Sequence, residues 1–148
     1  MSIEGVKRFL DSAQPHFAKL IGIKVISYSV DKVEAEFKIG PEHSNRGGAM
    51  HGGAIMTLAD TIGGLATTAN LPDGYGTVTI ESKTNFLAAI PVDDTARAEC
   101  TPLHRGRSTM VWQTRVLRGD GTLAAVVSQT QLVIPPRAGG NPVTPPNA

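Results

Sequence analysis

The sequence predicts an α+β fold in which an antiparallel β-sheet wraps around one long central helix. Two observations support this prediction: an apolar segment with helical spacing follows Gly53, and segments typical of β-strands lie on both sides of it in the chain. Because the predicted helix is apolar on nearly every side, it has to be covered on every side. We therefore expect the sheet to cover one side of the helix and a second copy of the chain to cover the other.

Helical turns are predicted at the N-terminus, followed by a β-hairpin. Residues 3–11 have amphipathic helical spacing, and a second helical turn is expected after Pro15, because proline suits the first turn of a helix. β-Branched residues within 21–30 indicate a strand, and the alternation of apolar and charged residues over 33–39 indicates a second strand with one face in water. The two residues between these strands fit a hairpin turn.

The central helix is predicted to end before a Leu-Pro-Asp-Gly turn, and four strands in meander-like succession are predicted after it. The strands are predicted over 77–87, 95–103, 108–118 and 122–134. We therefore divide the chain into an N-terminal helical segment (1–20), one sheet-and-helix domain (21–134) and a disordered tail with too little apolar content to pack (135–148).

Composition argues against several classes of function. The net charge of +1 argues against general nucleic-acid binding, and the single cysteine, Cys100, excludes an intrachain disulfide. The histidines lack the spacing of a zinc site, so we expect no metal. No apolar run is long enough to cross a bilayer, and the N-terminus lacks the apolar region of a secretory signal, so we expect a soluble cytoplasmic protein.

The segment that leads into the central helix carries the strongest chemical signal. Residues 45–53 read Asn-Arg-Gly-Gly-Ala-Met-His-Gly-Gly, which is too rich in glycine for a helix. The glycine pair at its end leaves backbone N–H groups free at the helix N-terminus, where an anion or a developing oxyanion binds favourably. One carboxylate, Asp60, follows within the apolar helix, where an unpaired charge is costly. Together these features suggest acyl transfer.

Gly52 and Asp60 are too far apart to act on one carbonyl group within a single chain. Eight helical residues separate them by about 12 Å at ~1.5 Å per residue. A catalytic group has to come within roughly 3 Å of the reacting atoms. If both residues act, they come from different subunits whose helices pack antiparallel, and the chemistry requires a two-fold symmetric dimer with two composite sites.

These residues resemble the hotdog-fold acyl-CoA thioesterases, in particular their phenylacetate-pathway (PaaI-like) branch. The resemblance extends over about 21–134. It is carried by a polar loop residue, a His-Gly-Gly triplet, a helix segment and a strand: Asn45, His51-Gly52-Gly53, 57–61 and 77–80. It implies a sheet wrapped around a central helix, homodimers joined edge to edge, often homotetramers, and hydrolysis of a coenzyme A thioester without a metal or other cofactor.

By position, the resemblance implies roles for five residues. Asp60 matches the catalytic carboxylate, which acts as general base or nucleophile, and Gly52 matches the residue whose backbone N–H polarises the thioester carbonyl. Asn45 and His51 match polar groups that flank the carbonyl and the attacking water. Thr79 matches a position at which a hydroxyl group helps to place that water.

Each of these roles has a structural alternative. Asp60 could be a surface residue without a chemical role, although its neighbours in the sequence are apolar and offer it no polar face. His51 could simply cap the helix, and Asn45 could be a turn residue. Thr79 could be an ordinary strand residue, with Ser82 supplying the hydroxyl group.

One compact basic cluster lies in the turn after the strand predicted over 95–103. Arg105, Gly106 and Arg107 could bind the phosphates of coenzyme A, since arginine makes bidentate contacts with phosphate. Similar turns border the nucleotide in the family that the chain resembles. The alternative is a solvated hairpin turn.

The sequence therefore predicts an enzyme that hydrolyses an aryl- or medium-chain acyl-CoA to the free acid and coenzyme A, with Asp60 supplied by the partner subunit. One alternative is an enoyl-CoA hydratase of the same fold, although such hydratases place their Asp and His only a few residues apart. The other is a non-catalytic module that binds acyl-CoA or an acyl carrier, which would need no carboxylate at this place.

Overall fold

The computed structural model describes residues 14–136. The helix predicted over 3–11 and residues 137–148 of the predicted tail lie outside the described residues. The division of the chain into 1–20, 21–134 and 135–148 therefore stays a prediction. Within the described part of the chain, no helix is long and apolar enough to cross a membrane.

Two α-helices and six β-strands make up the described part of the chain. The helices are α1 (His16–Leu20) and α2 (Gly52–Thr68). The strands are β1 (Ile23–Tyr28), β2 (Val33–Lys38), β3 (Gly76–Phe86), β4 (Thr95–Arg105), β5 (Thr109–Leu117) and β6 (Leu123–Ile134). The short 3-10 helix Pro41–His43 follows β2. The helical turn after Pro15, the central helix and the six strands are thus confirmed, with small shifts at their ends.

All six strands form one antiparallel sheet in the order β1-β2-β4-β5-β6-β3. The expected meander is correct for β4, β5 and β6 but wrong for β3, which pairs with β6 and lies at the edge of the sheet. The connection after β3 explains the difference, because it bonds to the end of β2. The Ile39 N–H donates to the Asp94 carbonyl (3.0 Å), and the Asp93 N–H donates to the Ile39 carbonyl (2.9 Å). As a result β4 begins beside β2.

Helix α2 packs across the sheet and forms the centre of the core. Leu58 and Ile62 are fully buried between the helix and the sheet. Burial of each such side chain contributes roughly 1.5–3 kcal/mol. Trp112 of β5 is also fully buried and donates its indole N–H to the Thr67 hydroxyl at 2.8 Å. These contacts fix the rotation of α2 and therefore decide which of its residues stay accessible.

One face of α2 is not covered by any of the residues 14–136 that the structure describes, so the expectation that Asp60 has no polar face is wrong. The residues on this face recur three or four positions apart: Met56, Thr57, Asp60, Thr61, Gly64 and Thr68. Asp60 and Met56 are exposed, whereas the apolar neighbours of Asp60 in the sequence point into the core. Side chains that are adjacent in a helix sequence lie about 100° apart around its axis, and residues three or four positions apart share a face.

Candidate active site

Two separate grooves open along α2. The larger, of about 550 Å³, lies between α1, the open face of α2 and the first half of β3, and Asp60, Thr79 and Ser82 are among its lining residues. We call it the carboxylate groove. The smaller, of about 380 Å³, lies at the start of α2 and is lined by Asn45, Gly52 and the residues that follow the end of β3. We call it the glycine groove. The two grooves share no lining residue, so Gly52 and Asp60 of one chain open into different spaces.

Gly52 presents a free backbone donor to the glycine groove. It is the first residue of α2, and its N–H has no acceptor among the described residues. A Cβ atom at this position would lie 3.1 Å from Cζ of Phe86, so the aromatic ring covers the place that a side chain would occupy. This N–H lies at the positive end of a 17-residue helix, where it can donate a hydrogen bond to a carbonyl oxygen that develops negative charge.

Asn45 shapes the loop that leads to Gly52. Its side-chain oxygen accepts hydrogen bonds from the N–H groups of Gly47 (2.8 Å) and Ala49 (3.3 Å). Gly48 in the same turn has a φ of +75°, a conformation that favours glycine. Asn45 therefore acts as a turn residue, which is the structural alternative considered for it. Asn45 also lines the glycine groove together with Gly52.

His51 caps the N-terminus of α2, as its structural alternative predicts. Its Nδ1 atom accepts a hydrogen bond from the Gly53 N–H at 2.9 Å. Because Nδ1 acts as the acceptor, the neutral ring carries its proton on Nε2, which is left as a donor. His51 lines a third cavity of about 260 Å³, and Phe17 and Thr57 line both this cavity and the carboxylate groove. The cap and the carboxylate groove therefore adjoin.

Asp60 is held by two hydrogen bonds from the sheet. The Thr79 hydroxyl donates to Oδ1 of Asp60 at 2.8 Å, and Nε2 of Gln129 donates to the same oxygen at 2.8 Å. Gln129 also donates to the Thr79 oxygen at 3.1 Å, and Gln131 donates to it at 2.7 Å. The chain therefore orients Asp60 from the floor of the carboxylate groove.

A β-bulge brings Thr79 and Ser82 to the same face of β3. The register with β6 shifts between Thr79 and Glu81, so that two positions three residues apart both point towards α2. Thr79 reaches Asp60, whereas the buried Ser82 Oγ has no hydrogen-bond partner among the described residues. Of the two hydroxyl groups considered from the sequence, the structure thus joins Thr79 to the carboxylate.

Sequence reasoning missed Gln129 and Gln131, although the chain contained a signal for them. Both side chains are almost fully buried, and they lie on the inward face of β6 at the same phase as Val127 and Val133. A polar residue at an inward position of an apolar strand has to find hydrogen-bond partners. Two glutamines in that phase therefore indicated a buried polar network.

The basic turn between β4 and β5 lies at the other end of α2. Both terminal nitrogens of Arg105 donate to Asp31 Oδ1 (3.0 Å each), and the guanidinium also reaches the Val30 carbonyl and the Asn70 side chain. Arg107 is exposed and makes no hydrogen bond or ion pair with the described residues. Together with Gly106, both arginines line a cavity of about 400 Å³. Arg107 is thus the available cation there, while Arg105 ties the turn to the β1–β2 hairpin.

Three residues of the sheet have shifted pKa values. Burial raises the pKa of Tyr28 to about 12 and that of the Cys100 thiol to about 11. At Glu34, burial raises the pKa, but hydrogen bonds and charge from Arg97 and Lys32 outweigh it and hold the pKa below its usual value. These three residues lie on β1, β2 and β4 and belong to the sheet rather than to the grooves.

Comparison with known proteins identifies the class to which this fold and site belong. Residues 47–125, more than half of the chain, match the model of the thioesterase superfamily. The chain therefore belongs to that family. The match includes Gly52, Asp60 and Thr79, whereas Gln129 lies beyond it.

Individual relatives agree with this result. A Haemophilus influenzae protein named provisionally as an esterase is 32% identical over 115 residues, which cover 77% of this chain and 82% of that protein. The structure of the thioesterase HI1161 from Haemophilus influenzae superposes with a TM-score of 0.83 at 25% identity, covering 95% of this chain and 96% of that one. A hypothetical thioesterase of Streptococcus pneumoniae, solved with coenzyme A, superposes with a TM-score of 0.72 at 26% identity, covering 79% and 89%.

The comparisons confirm the hotdog fold and the resemblance to thioesterases of that fold. The six-stranded antiparallel sheet wrapped around α2 is the arrangement of these thioesterases. The protein is accordingly an enzyme of the thioester hydrolase class.

Proposed function

We propose that the protein is a PaaI-like acyl-CoA thioesterase that hydrolyses an aryl- or medium-chain acyl-CoA to the free acid and coenzyme A. One observation carries the proposal: α2 holds both a free backbone donor at Gly52 and an oriented carboxylate at Asp60, in a chain of the thioesterase superfamily. The coenzyme A in the related Streptococcus pneumoniae structure supports this choice of thioester. The proposal includes a cytoplasmic location and no cofactor besides the coenzyme A of the substrate.

The proposed site requires a homodimer in which the β3 strands of two chains pair edge to edge. Among the described strands β3 pairs only with β6, so no described residue covers the other side of its 11-residue backbone, and Val78 and Ile80 are 47% and 55% exposed beside it. Such an edge is a template for another strand. Two-fold pairing would set the α2 helices antiparallel and bring Gly52 of one chain towards Asp60 of the partner subunit. We further propose that such dimers associate into homotetramers.

In the proposed reaction, the thioester carbonyl oxygen accepts the Gly52 N–H, and the helix end stabilises its developing negative charge. Asp60 of the partner subunit takes a proton from water as the water oxygen adds to the carbonyl carbon, or it adds to that carbon itself and forms a mixed anhydride that water later cleaves. The C–S bond breaks, and the coenzyme A thiolate leaves and takes up a proton. Asn45 and His51 flank the carbonyl and the water, and Thr79 helps to place the water.

The carboxylate groove supports an acyl group of moderate size. Gly64 lines this groove next to the turn of α2 that carries Asp60, and a Cβ atom built on it would meet nothing within 4 Å. Apolar contacts are available from Phe17, Met56 and Leu65. A benzoyl or hexanoyl group is therefore our proposed substrate range.

Coenzyme A would bind with its phosphates near the turn formed by Arg105, Gly106 and Arg107. The free guanidinium of Arg107 supports this part of the proposal, since Arg105 is engaged with Asp31. Acyl-pantetheine thioesters lack the nucleotide, so replacing Arg107 with Ala should raise KM for acyl-CoA and leave KM for acyl-pantetheine unchanged. Equal effects on both substrates would count against phosphate binding.

The decisive experiment measures thiol release from benzoyl-, phenylacetyl-, hexanoyl- and palmitoyl-CoA, with Asp60→Asn beside the unaltered protein. We expect turnover of an aryl or medium-chain substrate, and its loss by a factor on the order of 10³ or more in Asp60→Asn, with the oligomer intact. Hydrolysis at a near-normal rate by the variant would overturn the assignment. Binding without thiol release across the whole panel would favour a non-catalytic module or a hydratase instead.

A further inference from the structure

We propose that Gln129 is a positioning residue that selects the reacting oxygen of Asp60, an inference that rests on the proposed function. Its side chain is only 1% exposed and comes from β6, on the far side of α2 from solvent. The Nε2 atom lies 2.8 Å from Oδ1 of Asp60. A hydrogen bond from a buried amide to a carboxylate is stronger than one between neutral groups.

The two oxygens of Asp60 are not equivalent. Oδ1 accepts both the Thr79 hydroxyl and the Gln129 amide at 2.8 Å, whereas Oδ2 accepts no hydrogen bond from any described residue. An oxygen that already receives two donors is a weaker base and a weaker nucleophile than its partner. Oδ2 is therefore the oxygen that takes the proton from water or adds to the carbonyl carbon.

The direction of the Thr79 hydroxyl is fixed by the same glutamines. Its oxygen accepts Nε2 of Gln129 at 3.1 Å and Nε2 of Gln131 at 2.7 Å. A hydroxyl group has two acceptor positions and one proton. With both acceptor positions used, the single proton of Thr79 points to Asp60, so the network can donate to the carboxylate in one way only.

Gly63 provides the space in which the Gln129 amide lies. A Cβ atom at Gly63 would be 2.0 Å from Oε1 of Gln129 and 2.7 Å from Cδ, so any side chain there would displace the amide. Oε1 itself is buried without a hydrogen-bond partner. The reverse amide orientation would place that oxygen against the carboxylate oxygen of Asp60, where two acceptors repel each other. With the donor end of the amide directed to Asp60, Oε1 is therefore left without a hydrogen-bond partner.

Few other charged groups lie beside Asp60 among the residues that the structure describes. Helix α2 and strand β6 carry no other charged residue. The titratable groups beside the groove are His51 at the N-terminus of α2, His16 and Lys19 on α1, and Glu81 and Lys83 on β3, and Asp60 bonds to none of them. A change in the pH–rate profile after substitution of Gln129 would therefore report the loss of its hydrogen bond.

The test compares Gln129→Met, which keeps the length of the side chain but has no donor, with Gln131→Met. Both glutamines are 1% exposed on the same face of β6, but only Gln129 contacts Asp60. We expect Gln129→Met to lower kcat by about 10- to 100-fold with KM changed less than about threefold, since a hydrogen bond to a charged group is lost. The acid limb of its pH–rate profile should move to higher pH. Gln131→Met should lower kcat less, because Thr79 still reaches Asp60.

A second variant separates the loss of the Gln129 hydrogen bond from a folding defect caused by Gln129→Met. Gly63→Ala leaves Gln129 in the chain but displaces its amide, and it should reproduce the kinetic change of Gln129→Met. Equal losses in Gln129→Met and Gln131→Met, with an unshifted pH–rate profile, would overturn the proposal. If the unaltered protein hydrolyses no thioester, the proposed function fails, and crystal structures of Gln129→Met still decide the inference. A single, unchanged Asp60 rotamer would contradict it, and several rotamers would support it.

Discussion

At the scale of single residues, the proposed chemistry uses a backbone atom on one side and a side chain on the other. Gly52 contributes its N–H, which no sequence change short of proline removes, but its absent side chain leaves room for the Phe86 ring. The position of this N–H group therefore depends more on the size of the side chain at position 52 than on its polarity.

Substitution of Gly52 by alanine is expected to reduce kcat/KM on the order of 10²-fold. The new methyl group would lie 3.1 Å from Cζ of Phe86 and would shift either the ring or the helix start away from the carbonyl oxygen. Steady-state kinetics of Gly52→Ala measure the effect, with Gly76→Ala as control, because a Cβ at Gly76 meets nothing within 4 Å. Unchanged kinetics in Gly52→Ala would show that the glycine groove does not receive the carbonyl.

The residues of the candidate site could be predicted from the sequence more completely than the hydrogen bonds that they make. The approach of Asp60 and Thr79 was not predicted as a contact, because Thr79 lies 19 residues further along the chain on another element. His51 and Asn45 have local partners within four residues, and for that reason their capping and turn contacts were foreseeable alternatives. Local bonds follow from spacing, whereas long-range bonds depend on the packing of α2 against the sheet.

At the scale of elements, α2 carries two adjacent glycines with opposite surroundings. Gly63 faces the Gln129 amide, whereas Gly64 faces open space in the carboxylate groove. Intrinsic helix propensity treats these two positions alike. Their packing differs, because a side chain has room at Gly64 but would meet the Gln129 amide at Gly63.

Alanine at the two positions should change stability in opposite directions. Gly64→Ala is expected to stabilise the protein by about 0.5–1 kcal/mol, the usual gain when alanine replaces glycine inside a helix. Gly63→Ala is expected to destabilise it by about 1–2 kcal/mol, because displacement of the Gln129 amide breaks hydrogen bonds worth more than that gain. Urea denaturation of both variants measures the difference. A stabilised Gly63→Ala would mean that the amide moves without cost.

The elements themselves were largely predictable, and the exceptions share one cause. Hydrophobic periodicity located six strands and the central helix, but it could not show the bulge after Thr79 or the position of β3 beside β6. A bulge reverses the alternation of faces, so a periodic pattern alone leaves the register open. The order of strands is decided by the hydrogen bonds of the β3–β4 connection to Ile39, which no local pattern encodes.

At the scale of the whole molecule, the two grooves of one chain belong to two different proposed active sites. Each site would combine the glycine groove of one subunit with the carboxylate groove of the other. This division was predicted from helix geometry alone, because the rise of a helix sets the separation of Gly52 and Asp60.

Mixed dimers should therefore be more active than either parent variant. If Asp60→Asn chains and Gly52→Ala chains are refolded together in equal amounts, about half of the dimers contain one chain of each kind, and each of these has one intact site. Activity should rise to about a quarter of that of the unaltered protein. Each variant refolded alone is the control. A mixture no more active than its parents would place both residues in one site of one chain and would contradict the composite site.

The buried thiol of Cys100 has a practical consequence for all these measurements. It is the only cysteine in the chain, it is fully enclosed by the sheet, and its pKa of about 11 leaves almost no thiolate near neutral pH. A thiol-reactive dye will consequently record only coenzyme A while the protein stays folded. When the protein denatures, the absorbance rises by the signal of one further thiol per chain. The same assay therefore distinguishes an inactive variant from an unfolded one.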